Sequence, residues 1–180
     1  MVGLVVFGIG IGLMVQSNLG LAPWDVLHQG LAINFGRTTG QWTIIVSFVV
    51  LLLWLPIRER YGLGTLINAV MIGLALDATV TVVVIPDSLA VRIALMVAGI
   101  ISVGLASGLY IGAHLGPGPR DGLMTGLAKR GPSIRATRFA IEAVVLAGGW
   151  LLGGTVGVGT LLFAIFIGPL VQFFLRTLSF

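Results

Sequence analysis

"LGLAPWD" (Leu19–Asp25) returns ninety-six positions later as "LGPGPRD" (Leu115–Asp121), with Leu-Gly and Pro-x-Asp in register. The likeness extends on both sides. Residues 12–32 and 108–128 agree at ten of twenty-one positions, from Gly12 and Leu13 through Pro23 and Asp25 to Gly30, Leu31 and Ala32. A second block, "GLGTLINAVMIG" from Gly62, agrees with "GVGTLLFAIFIG" from Gly157 at seven of twelve positions, offset by ninety-five. Chance readily matches Leu and Gly in apolar sequence. It seldom matches Pro, Asp and Thr in register. The chain reads as a two-fold internal repeat, with repeat 1 over about 1–85 and repeat 2 over about 89–180 of one transmembrane domain covering 1–180.

What surrounds the motif sets the environment. Of 180 residues, 57% are hydrophobic and 9% charged. A soluble surface usually needs about 25% charged residues, so an integral membrane protein is the class that fits. Six apolar segments suit spans: Val2 to Ser17, Trp42 to Ile57, Leu63 to Ile85, Leu89 to Ala113, Thr137 to Leu152 and Val158 to Leu175. The first lacks the basic start of a cleaved signal and reads as a span. Two shorter pieces, Pro23 to Phe35 and Pro119 to Arg130, each follow one copy of the motif and carry polar groups. Pro at a first turn with Asp nearby starts a helix well. Both read as short helices that enter the membrane partway or lie along its edge.

The predicted fold is therefore an all-α polytopic helix bundle with six spans plus two short broken or re-entrant helices. Three spans per half is odd, so the halves would be inverted, as in many transporters. The alternative is eight spans, four plus four, with parallel halves. Charge arbitrates. With six spans and a cytoplasmic N-terminus, eight basic residues lie inside (Arg58, Arg60, Arg120, Lys129, Arg130, Arg135, Arg138, Arg176) and Arg37 and Arg92 lie outside. Eight spans give seven inside and three outside. The positive-inside rule thus leans toward six spans in the plasma (inner) membrane, with both termini cytoplasmic.

The segments "LGLAPWDVL", "LGPGPRDGLM", "RATRFAIEAVV" and "GGTVGVGTLLFAIFIGP" resemble the YczE/YyaS/YitT group of bacterial membrane proteins across nearly the whole chain. The chain stops soon after its last span and is similar to the YczE branch. The resemblance implies a multi-span membrane protein and carries no defined activity.

A non-helical turn inside a membrane leaves backbone groups without partners, at several kcal/mol each, unless it lines a cavity or packs in protein. Two such breaks point to a central site. The substrate-lining candidates are Pro23, Asp25, His28, Asp77, His114, Pro119 and Asp121. Asp25 and Asp121 have a plainer reading as helix caps. Asp77 falls mid-span, where a charge is expensive and functional by default; its plainer reading is a bond to Asn68 or to a neighbouring helix. His114 aligns with Asn18 and reads as a hydrogen-bonded helix-end group or a titrating one. Arg138 and Glu142 stand four apart, as a structural pair or a gate. Trp24, Trp42, Trp54 and Trp150 fall near span ends, like interface anchors.

The absence of Cys and the presence of only two His exclude thiol chemistry and argue against a metal site or cofactor. Few basic residues, placed between spans, argue against nucleic acid. The expected function is transporter-like and not enzymatic: lipid-embedded, moving a small molecule or ion. The competing expectation is a scaffold or accessory subunit, with a partner or a second copy docked on a small-residue face such as Gly8 and Gly12.

Overall fold

A computed structural model of the chain describes residues 1–59, 62–112, 117–131 and 133–178. These form eight α-helices: α1 (Val2–Ser17), α2 (Pro23–Phe35), α3 (Thr39–Ile57), α4 (Leu63–Val82), α5 (Leu89–Gly112), α6 (Pro119–Ala128), α7 (Ile134–Leu151) and α8 (Val158–Leu178). The expected segments appear within a turn or so at each end. Local chemistry sets the limits. Asn18 takes a left-handed φ of 50° and stops α1. Pro23 and Pro119 open α2 and α6 at the first turn, where their missing N–H is harmless. Thr38 and Gln41 form a capping box on α3, and Ser133 accepts from the Ala136 N–H to start α7.

Length decides what can cross a bilayer. Helices α3, α4, α5 and α8 are long and apolar enough, and α1 is apolar but shorter. Helix α7 has 18 residues but carries Arg135, Arg138 and Glu142. At 1.5 Å per residue, α2 and α6 reach only about 20 and 15 Å against a hydrocarbon core of about 30 Å. The molecule is a helical membrane bundle.

Helix α1 lies at the centre, packed against α4 and α5. Gly8 faces Ile72 and Ala75, and Gly12 faces Thr79, so α1 runs parallel to α4. The Gly8–Gly12 face is thus filled by the chain's own α4, which corrects its assignment to a partner. Gly3 faces Ala106 and Leu109, whereas Gly10 faces Gly99 and Ser102, so α1 and α5 are antiparallel. The chain therefore breaks at opposite ends of the bundle after these two helices.

Each break docks on the start of a distant helix. Leu21 N donates to Thr155 O (3.2 Å), and Gly159 N donates to Leu19 O (2.8 Å). Gly20, at φ 120°, lies so close to Gly157 and Thr160 that no side chain fits. At the other end, Thr65 Oγ1 donates to Pro117 O (2.8 Å), and Trp54 Nε1 donates to Pro119 O (3.0 Å). These bonds satisfy break carbonyls that water would otherwise serve. Trp54 is fully buried and Trp24 nearly so, so neither is an interface anchor; Trp150 is exposed.

Arg92 closes the end of α1, with Nε on Ser17 O and Nη2 on Asn18 O, both at 2.7 Å. A guanidinium on two terminal carbonyls also meets the negative end of the helix dipole. Arg92→Gln should lower stability by about 2 kcal/mol, since hydrogen bonds to charged groups contribute about 1.5–3 kcal/mol. A thermal melt of the detergent-solubilised protein should fall by roughly 4–8 °C; an unchanged melt would show that the carbonyls are served by something else.

Candidate functional site

Helices α2 and α6 both begin at a single cavity of about 170 Å³. Pro23 and Asp25 line it from one break, and Pro119, Arg120 and Asp121 from the other. Side chains of α1, α3, α4, α5, α7 and α8 complete the wall. One part is apolar, with Phe7, Ile11, Ile72, Phe163 and Ile167; the remainder is polar, with Ser47, Asn68, Ser107, Tyr110, Arg138 and Glu142.

The breaks touch across the cavity. Arg120 Nη2 stands 3.4 Å from Asp25 Oδ1, and the guanidinium carbon lies 5.3 Å from the centre of the Trp24 ring. The Asp25 side chain is only 3% exposed, while that of Arg120 keeps 22%. Behind Asp25, His28 is wholly buried, with Nδ1 3.4 Å from Asp25 Oδ1 and 3.0 Å from Thr43 Oγ1. The Thr43 hydroxyl hydrogen goes to Thr39 O (3.0 Å), and Arg120 Nη2 also stands 3.5 Å from His28 Nδ1. Asp121 Oδ2 accepts from the Tyr110 hydroxyl at 2.6 Å. Arg138 Nε donates to Glu142 Oε1 at 2.9 Å. Among the described residues, two buried groups here have no partner, Trp24 Nε1 and His28 Nε2.

Six expected residues, namely Pro23, Asp25, Pro119, Asp121, Arg138 and Glu142, thus meet at one place. His28 supports Asp25 from behind and does not reach the cavity. Neither Asp25 nor Asp121 caps its own helix: the N-cap positions are Ala22 and Gly118, with no side-chain cap bond. Asp77 does not line the cavity. Its carboxylate accepts from Gly40 N (2.8 Å) and from the Thr38 hydroxyl. The expensive mid-chain charge is therefore satisfied at the N-terminus of the neighbouring α3, where a negative charge is favoured. His114 lies outside the described residues.

Sequence reading missed Arg120, Trp24, Tyr110 and Asn68 as site residues. Arg120 had been counted only as a cytoplasmic charge, although its place between Pro119 and Asp121 was a usable signal. Trp24 and Arg120 occupy the same motif position, and one stacks on the other. Nothing in local sequence places Tyr110 or Asn68 beside the second break.

Residues 1–176 match a family of unknown function, DUF6198. An uncharacterized protein of Haemophilus influenzae is 45% identical over 177 residues, covering 98% of this chain and 81% of the relative. The uncharacterized membrane protein YczE of Bacillus subtilis is 34% identical over 174 residues, covering 95% and 81%. The uncharacterized protein YyaS of the same organism is 29% identical, covering 97% and 89%. These relatives bear out the resemblance to the YczE/YyaS group. No solved structure matches.

Proposed function

The chain belongs to the DUF6198 family, and from that premise we propose that it is a carrier for a small solute, made of two inverted repeats around one central site. The carrying observation is the composition of the cavity wall. Twenty of its twenty-three described lining residues fall into ten pairs of equivalent positions, at offsets of ninety-six through the motif and ninety-five after it. Examples are Phe7 with Val103, Ile11 with Ser107, Trp24 with Arg120, Ser47 with Glu142, Asn68 with Phe163 and Ile72 with Ile167. A cavity walled twice by the same positions lies where a two-fold axis would pass. That is where inverted-repeat carriers hold their solutes.

Orientation supports the same reading. In an inverted plan α1 and its counterpart α5 run antiparallel, as observed; four plus four spans would make them parallel. The crossed docking repeats too. The first break sits on Gly157–Thr160, and the second on Thr65, whose equivalent is Thr160. We take six crossings in the plasma membrane, with both termini cytoplasmic and no enzymatic step. In a scaffold the breaks would be packed dry. A cavity between them whose wall is partly polar favours the carrier.

The lack of Cys makes the test clean. Ser47→Cys and Ser107→Cys each place one thiol in the cavity. In sealed inverted and right-side-out vesicles, a membrane-impermeant maleimide should label both positions, from one face or from each in alternation. Labelling from neither face would reject the carrier and leave a sealed, structural bundle.

A further inference from the structure

We propose that the solute is a small monovalent organic cation, held by the Asp121 carboxylate beside the Tyr110 and Phe7 rings; this deepens the carrier reading and rests on it. The charge count within the cavity leads there. Its described lining holds three carboxylates, Asp25, Asp121 and Glu142, against two guanidinium groups, Arg120 and Arg138. Arg120 is paired with Asp25 and Arg138 with Glu142. That leaves Asp121, an exposed residue that, among the described residues, has one bond there, from the neutral Tyr110 hydroxyl at 2.6 Å. Asp121 is exposed, so a positive solute can reach it, and a carboxylate with no ionic partner on the described wall attracts one. No further basic side chain lines the described cavity. An anionic solute would instead have to break one of the two existing pairs.

The walls fit the same chemistry. The bond from Tyr110 fixes its ring next to the carboxylate. Phe7 meets Tyr110 edge to face, with centroids 6.2 Å apart, and Phe163 lines the cavity with them. Aromatic rings next to a carboxylate favour alkylammonium groups through cation–π attraction. Trp24, 93% buried by its 7% exposure, lines the same cavity and has an indole N–H without an acceptor. Size gives the upper bound. A cavity of about 150 Å³ holds a benzene molecule, so about 170 Å³ suits a solute of roughly seven heavy atoms.

Choline is a probe with these features, and 3,3-dimethyl-1-butanol is its uncharged isostere. Thermal stabilisation of the purified full chain is measured for both, and for glycine betaine and acetate. Choline should stabilise the protein, and the neutral isostere and acetate should not. Asp121→Asn should weaken choline binding roughly 10- to 100-fold, the range for losing a charge-assisted contact; Asp121→Glu should keep most of it. If the Asn variant does not accumulate, protection of Ser107→Cys from maleimide by choline, and not by its isostere, carries the same test. Choline acting equally on the parent and on Asp121→Asn overturns the inference. So does stabilisation by acetate, betaine or the neutral alcohol without choline, and so does silence from all four. The carrier reading is judged separately, by the maleimide labelling of the two Cys variants, so either can fail alone.

Discussion

Gly122→Ala is expected to lower stability by about 3 kcal/mol and to reduce the folded yield in membranes sharply. A Cβ on Gly122 would overlap Cζ2 and Cη2 of the Trp54 indole. That ring cannot retreat: Trp54 has no exposed surface and packs in a core with Trp24, Val50, Leu51, Ala69, Leu123 and Met124. Overpacking commonly costs about 1–3 kcal/mol, and a rigid obstacle puts this site at the top of that range. Moving the indole also breaks its bond to Pro119 O, worth about 1 kcal/mol. The gain in helix propensity on leaving Gly, about 1 kcal/mol, offsets only that last loss. Gly126→Ala, one turn along α6, is the internal comparison. There the new atom meets the Ile57 Cδ1 at 2.7 Å, the far end of a flexible side chain, so the effect should be mild. Melting curves and size-exclusion profiles of the two variants give the comparison. Equal behaviour would mean that the Trp54 ring is not held where the packing puts it.

The contrast shows what could and could not be read from the sequence. Helix starts were legible where they depend on neighbours in the chain, as with Pro23 and Pro119 at first turns, whereas α3 begins at Thr39, three residues before the expected Trp42, because Thr38 and Gln41 cap it. The repeat was legible because Pro, Asp and Thr recur in register. The two breaks, whose sequence allows either helix caps or a shared site, both open on one cavity. Pairing across the bundle was not legible. Asp77 looked like a site residue because a charge between apolar residues is costly wherever it goes. Only the packing of α3 on α4 reveals that Gly40 and Thr38 satisfy it. Gly8 and Gly12 announced a close helix contact, and the sequence could not say that α4 supplies it. Trp54 lies near a span end, where an anchor is common, but the second break folds over it and turns it into core. Arg120 was misjudged for a related reason. A long side chain acts far from its own backbone, and a count by loop does not record that Arg120 reaches Asp25 and Trp24.

Arg120→Gln should bring the other large loss, about 2–4 kcal/mol. It leaves the Asp25 carboxylate, 3% exposed, without its guanidinium partner, and breaking a buried pair from one side costs about 3–5 kcal/mol. The 22% of the Arg120 side chain that stays open tempers this, whereas the lost stacking on Trp24 adds to it. Asp25→Asn should cost less, because the stranded guanidinium can turn into the cavity toward Asp121 or Glu142. The double variant should be milder than the two singles together, with a coupling of about 1–3 kcal/mol, since neither charge is then left alone. His28 sharpens the expectation. Its Nδ1 lies 3.4 Å from the same Asp25 oxygen, so Asn at 25 keeps an oxygen beside it and removes only the ionic part. A thermal double-mutant cycle on the four proteins measures the coupling. A value near zero would mean that the two breaks meet without holding one another, and that the two parts of the chain are linked by helix packing such as α1 on α5 and by the backbone bonds of each break.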